Sequence, residues 1–192
     1  MTGVLILIAT CHIRIVCYNS HMAYLGKGVE YALHCLLSLT NTSGESPLGV
    51  SDIANFQGIS ATYLAKIFTR LKKAGIVRSS IGVHGGYELA KPADQITFWD
   101  VVVAVEGEFH LFECRNIREK TVIYKASCPM PDWQSMGPCT IHKVMMDVET
   151  QIKDSLQTKN IAWLRQVVDQ KLSQEDKSAV IQWFVQAMNS RK

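Results

Sequence analysis

The sequence predicts a mainly α-helical fold carrying a single two-stranded β-hairpin and one long amphipathic helix. Three observations point there. Apolar residues recur at three- and four-residue spacing in most of the chain, as they do along one face of a helix. Alternation of the β type is confined to two short segments that flank a glycine-rich stretch, Ile81-Gly82-Val83-His84-Gly85-Gly86. The composition of the 192 residues, 47% hydrophobic and 19% charged, suits a core that needs no disulfide staples. It also excludes disorder, and the mean hydropathy of +0.06 excludes a polytopic membrane protein.

Net charge is only +3, but its distribution is uneven. No acidic residue lies between Asp52 and Glu88, while Lys66, Arg70, Lys72, Lys73, Arg78 and His84 fall inside that window. A local basic face is a feature of nucleic-acid binders even where the total charge is small.

Residues 1–21 contain short apolar runs, VLILIA and IRIVC, too short to span a bilayer. Their basic residue, Arg14, sits inside the apolar stretch, unlike a secretory signal. They are read as an upstream extension before Met22, and Cys11 and Cys17 are set aside from the chemistry. From Lys27, the residues Val29, Ala32, Leu33, Leu36 and Leu37 share a helical face up to Asn41. A short second helix runs from about Val50 to Gln57, and Gly58 stops it. Ser60 caps a third helix, whose Leu64, Ile67, Phe68 and Leu71 form its apolar face and which Gly75 closes. Ile76–Ser80 and Tyr87–Ala90 are the hairpin strands, and Ile96–Glu106 returns to a helical pattern. The order helix, turn, basic helix, hairpin is that of a winged helix-turn-helix, expected over residues 22–107.

Residues 108–139 read as an irregular loop holding Cys114, Cys128 and Cys139. From Thr140 to Gln157, Ile141, Val144, Met145, Val148 and Ile152 form a stripe suited to a partner helix, so 140–157 is expected to be a dimerisation helix. A last helix is expected from Ser173, where Asp176 completes a capping box, as part of a C-terminal appendage over 158–192.

For DNA, phosphate neutralisation supplies affinity and base-edge groups supply specificity. The third helix offers Ser60, Thr62 and Tyr63 at its N-terminus, Lys66 for base edge or phosphate, and Arg70, Lys72 and Lys73 for the backbone. His84 at the hairpin tip is placed to meet the minor groove. No oriented nucleophile, base and acid set marks an enzyme.

The stretch ISATYLAKIFTRLKKAGIVRSSIGVHGGYELAKPADQITFWDVVVAVEG, residues 59–107, resembles the winged-helix regulators of the IscR, NsrR and RsrR type, the Rrf2 superfamily. The likeness runs from about Met22 to about Gln157. It departs at Ile81, where many relatives carry arginine, and at His84, where a further glycine is common. The resemblance implies a cytoplasmic homodimer that binds an inverted repeat in promoter DNA, as a repressor or dual regulator. It also implies an iron-sulfur cluster sensing redox state, nitric oxide or cluster supply. VEYALHC at residues 29–35 is most similar to the RsrR subgroup. There the resemblance implies a [2Fe-2S] cluster held by Glu30 and His34 of one subunit and by Cys114 and Cys139 of the other. Glu30 and His34 are four residues apart, so a helix sets them on one side.

The competing ligand set is Cys114, Cys128, Cys139 and His142 within one chain. Cys114, Cys128 and Cys139 are separated by 13 and 10 residues, unlike compact zinc or ferredoxin motifs. A [4Fe-4S] cluster or zinc stay open as occupants. A cluster-free or zinc-containing regulator, responding to thiol redox, a metabolite or a partner protein, is the alternative function. Cys35, next to His34 on the first helix, is expected in the core.

Overall fold

A computed structural model describes residues 25–40, 47–82, 85–108, 110, 112–115, 117–120, 122 and 137–191. The expected upstream extension, Cys128 and His84 lie outside the described residues. The fold is mainly helical with one two-stranded antiparallel sheet, as the sequence predicts.

The first helix, α1 (Lys27–Leu39), buries Val29, Ala32, Cys35, Leu36 and Leu39. It crosses α4 (Phe98–Glu106), which contributes Val101, Val102 and Val105 to the same core. Helix α2 (Val50–Gln57) and helix α3 (Ala61–Lys73) form the helix-turn-helix. The turn between them requires Gly58, whose φ of 66° is left-handed and whose N–H closes the last turn of α2. The Ser60 hydroxyl accepts from the Tyr63 N–H at 3.4 Å and so fixes where α3 begins. The four apolar residues expected on α3, Leu64, Ile67, Phe68 and Leu71, are its buried set.

Strands β1 (Val77–Ser80) and β2 (Gly86–Leu89) pair with Arg78 opposite Glu88. Leu48 joins the far edge of β2 through reciprocal bonds with Tyr87, at 3.0 and 2.8 Å. A Cβ on Gly86 would lie 2.4 Å from the Leu48 carbonyl oxygen, so only glycine admits this approach.

Helix α4 starts at Phe98, two residues later than the apolar pattern suggests. Thr97 and Asp100 make a reciprocal capping box there, and Ile96 points into the core as part of the preceding turn. A single helical turn, α5 (Ile117–Lys120), falls in the region read as irregular loop. Helix α6 (Thr140–Gln157) has the bounds expected of it and packs against α4.

The C-terminal region departs from expectation. A helix not foreseen, α7 (Ile161–Lys171), precedes α8 (Gln174–Asn189), whose Ser173–Asp176 capping box is as predicted. Asn160 caps α7 by accepting from the Trp163 N–H at 2.7 Å. The segment is not an appendage: Ile161 and Phe184 are fully buried members of the one core. Phe184 stacks on Phe56 of α2 with centroids 4.6 Å apart. Bonds from Phe98 N–H to the Lys159 carbonyl and from Ile161 N–H to the Ile96 carbonyl tie the α6–α7 junction to the start of α4.

Candidate nucleic-acid interface and metal centre

The amphipathic spacing of α3 decides which side chains it presents. With Leu64, Ile67, Phe68 and Leu71 buried, Thr62, Tyr63, Lys66, Thr69, Arg70, Lys72 and Lys73 lie on the open side. They are not equally available. Thr62, Lys66 and Lys73 are exposed, and the described residues offer them no side-chain hydrogen bond or ion pair. The Tyr63 ring meets Tyr31 of α1 edge-on at 5.9 Å. Its hydroxyl lies 3.3 Å from where a Cβ on Gly28 would stand. Lys72 donates to the Ser79 hydroxyl at 2.6 Å, linking α3 to β1. Arg70 donates from Nη1 to the Val105 carbonyl at the end of α4.

Arg78 pairs with Glu88 across the hairpin at 2.9 Å, which raises the guanidinium pKa further and offsets one charge of the basic window. The basic face read from the sequence therefore divides into cations that join elements and cations that remain open.

Sequence reasoning missed one residue at this surface. Arg191, just past α8, pairs with Asp52 in the first turn of α2. It also donates to the Gly85 carbonyl in the loop joining the hairpin strands, at 3.0 Å, and to the Pro47 carbonyl at 3.4 Å. Its only sequence signal is an acidic residue in the first turn of a helix, with no hint of a partner 139 residues away.

The expected metal ligands fall in two places. Glu30 and His34 are exposed on one side of α1. They border a cavity whose other walls come from α2, α7 and α8. Cys139 is the N-cap of α6, its sulfur accepting from the His142 N–H at 3.4 Å. The Phe112 and His142 rings meet at 5.9 Å, which holds the segment carrying Cys114 beside the start of α6. Among the described residues, no three His, Cys, Asp or Glu side chains converge as a metal-holding group.

Cys35 is fully buried, as expected, and burial pushes its thiol up to about 12. Its thiol donates to the Gln57 side-chain oxygen at 3.7 Å. On α6, Ile141, Val144, Val148 and Ile152 are 68, 54, 40 and 38% exposed while Met145 is half-buried, so most of the expected stripe is uncovered within one protomer. No helix among the described residues is long and apolar enough to cross a membrane.

The chain is similar to known transcriptional regulators. It is 34% identical over 143 residues to the HTH-type transcriptional regulator IscR of Erwinia tasmaniensis, covering 74% of this chain and 78% of that one. It is 43% identical over 85 residues to protein Rrf2 of Nitratidesulfovibrio vulgaris, covering 44% of this chain and 57% of that relative. The chain thus spans little more than half the length of this second relative. Two solved structures share the fold. CymR, the global cysteine regulator of B. subtilis, aligns with a TM-score of 0.59 at 23% identity, covering 76% of this chain and 98% of that one. T. potens IscR aligns with a TM-score of 0.57 at 23% identity, covering 78% and 91%. A family model described as Rrf2, iron-dependent transcriptional regulator, matches residues 25–166. With a winged helix-turn-helix in place and that match covering most of its length, the chain belongs to the Rrf2 family of transcriptional regulators.

Proposed function

We propose that the protein is a homodimer, acting in the cytoplasm, that binds an inverted repeat in promoter DNA and answers to redox state, nitric oxide or iron-sulfur status. The observation that carries the DNA half is the open N-terminal half of α3. Ser60 sets the start of the helix, and Thr62 and Lys66 project from it without partners among the described residues. Helices of this kind enter the major groove by their first turns, with phosphate contacts fixing the register. Thr62 and Lys66 take the base-edge role here, Ser60 and Tyr63 frame them, and Lys73 and His84 contact the backbone or the minor groove. Arg70 and Lys72 act first by bracing α3 against α4 and β1. The α6 stripe supplies the two-fold contact, so that two recognition helices address half-sites about 34 Å apart or at multiples of that.

For the sensing half, Glu30 and His34 of one subunit, with the partner subunit's Cys114 and Cys139, hold a [2Fe-2S] cluster. The donor chemistry fits: two thiolates suit iron-sulfur ligation, and a carboxylate and an imidazole one helical turn apart complete the shell. When bound, the cluster supplies one-electron redox chemistry and reactivity towards nitric oxide. The chain's own contribution is to present Glu30 and His34 on the exterior of α1, and to hold Cys139 at the N-terminus of α6.

The test is anaerobic purification with absorption spectra and iron and sulfide content, beside Glu30→Ala, His34→Ala, Cys128→Ala and His142→Ala variants. The expected result is a [2Fe-2S] spectrum altered by the first two variants and unaltered by His142→Ala. A protein that takes up neither iron nor sulfide on reconstitution overturns the sensing half. Selection from randomised duplexes tests the DNA half, which fails if no inverted repeat is enriched.

A further inference from the structure

A cavity of about 470 Å³ lies between α1, the end of α2 and the α7–α8 pair, within the size range of small-molecule sites. Phe56, Val168, Leu172 and Val180 give it an apolar lining. Two cations line it, Arg165 and Lys177; Lys177 is half-buried, and no ion pair among the described residues includes it. The neighbouring Arg165 is turned to Asp169 at 2.7 Å. Glu30 and His34, the residues proposed above to hold the cluster, lie exposed on the opposite rim. An ammonium at the edge of an apolar wall attracts an anion that can bury an apolar part against that wall. The bound partner that matches this wall is therefore a carboxylate carried on an apolar chain or ring.

Leu172, Lys177 and Val180 lie past residue 166, where similarity to the family model ends. The same α8 that carries Lys177 and Val180 leads to Arg191, which grips Asp52 of α2 and the Gly85 carbonyl beside the wing.

We propose that this cavity is an effector site for a small amphipathic carboxylate, and that α8 and Arg191 relay its occupancy to the helix-turn-helix and wing. The relay rests on the DNA-binding reading given above; the binding site does not. A ligand shifts operator affinity only through different affinities for two positions of α8, and the Arg191 contacts give those positions different consequences at the DNA-reading end.

The experiment titrates the full-length protein calorimetrically with octanoate, 1-octanol and octylammonium. The variants are Lys177→Met, Lys177→Glu, Val180→Trp and Arg191→Ala, each checked for an unchanged melting curve. Octanoate is expected to bind about tenfold or more tightly than octanol, a difference of about 1.4 kcal/mol. Lys177→Met should level the two, Lys177→Glu should turn the preference towards octylammonium, and Val180→Trp should abolish binding of all three. Octanoate should change operator affinity at least about threefold in the parent and leave it unchanged in Arg191→Ala, which still binds octanoate. No octanoate binding, or a preference that survives Lys177→Met, overturns the site. Equal operator shifts in the parent and Arg191→Ala overturn the relay. Failure of the ligand-free parent to bind any operator defeats only the DNA-binding reading, because the calorimetry uses no DNA.

Discussion

Replacing Phe184 by alanine tests whether the C-terminal helices belong to the core. The side chain is 1% exposed, with its ring 4.6 Å from Phe56 and 5.1 Å from Trp183. Truncating a buried phenylalanine costs about 3–5 kcal/mol, the spread reflecting how far the surroundings collapse into the space. Here Phe56 would lose its closest aromatic partner, and an aromatic pair adds about 0.5–1.5 kcal/mol beyond area alone. For a chain of this length each kcal/mol moves the midpoint by about 2–4 °C, so Phe184→Ala should melt about 6–20 °C lower. Differential scanning calorimetry and urea unfolding, at one fixed protein concentration, measure it. A loss below about 1 kcal/mol, the range of ordinary surface substitutions, would refute the reasoning. So would a separate early transition for residues 158–192 that left the main transition unmoved, since that is how a detached appendage melts.

Lys66→Ala should weaken operator binding about tenfold or more and flatten the logarithmic salt dependence by about two per dimer, one for each protomer, in a fluorescence anisotropy titration. Unchanged affinity and slope would make Lys66 a merely solvated surface residue. Paired Val148→Asp and Ile152→Asp substitutions on α6 should leave the protomer's fold intact, because both sites are at least 38% exposed, and should give monomers in sedimentation equilibrium. Cys35 should resist alkylation in the native protein at pH 8, because its thiol is buried and its pKa is pushed up to about 12. The stability from holding that thiol neutral is fully present below the unfolded thiol pKa near 9 and is lost as pH rises towards 12. Over that window the parent should lose up to about 1.4 kcal/mol per pH unit more than Cys35→Ala, read from urea unfolding at stepped pH.

Local rules settled most of the element boundaries. Gly58, Ser60 and the Ser173–Asp176 box each act within four residues, so the end of α2 and the starts of α3 and α8 were readable along the chain, whereas the Thr97–Asp100 box that starts α4 two residues late was not read. The helix of Ile161–Lys171 was not readable in advance. Six of its eleven residues are apolar, but only Ile161 is fully buried, and the tertiary bonds to Ile96 and Phe98 hold its start. At the candidate DNA-reading surface, the sequence identified every cation on α3 but not which were occupied. Arg70 and Lys72 are taken up by Val105 and Ser79, residues that no spacing rule brings near.

By itself, then, the sequence determined the helical class, the winged helix-turn-helix order, the buried face of α3 and the uncovered stripe of α6, because periodicity and capping are short-range. Only the tertiary structure decided that the last two helices complete the core through Phe184, that Lys177 stands in the wall of a cavity, and that Arg191 grips Asp52 and the wing. Those depend on which surfaces meet after collapse. A contact between residues more than a hundred positions apart leaves no periodic trace in the chain, since its energy is gained only when the intervening elements have already packed.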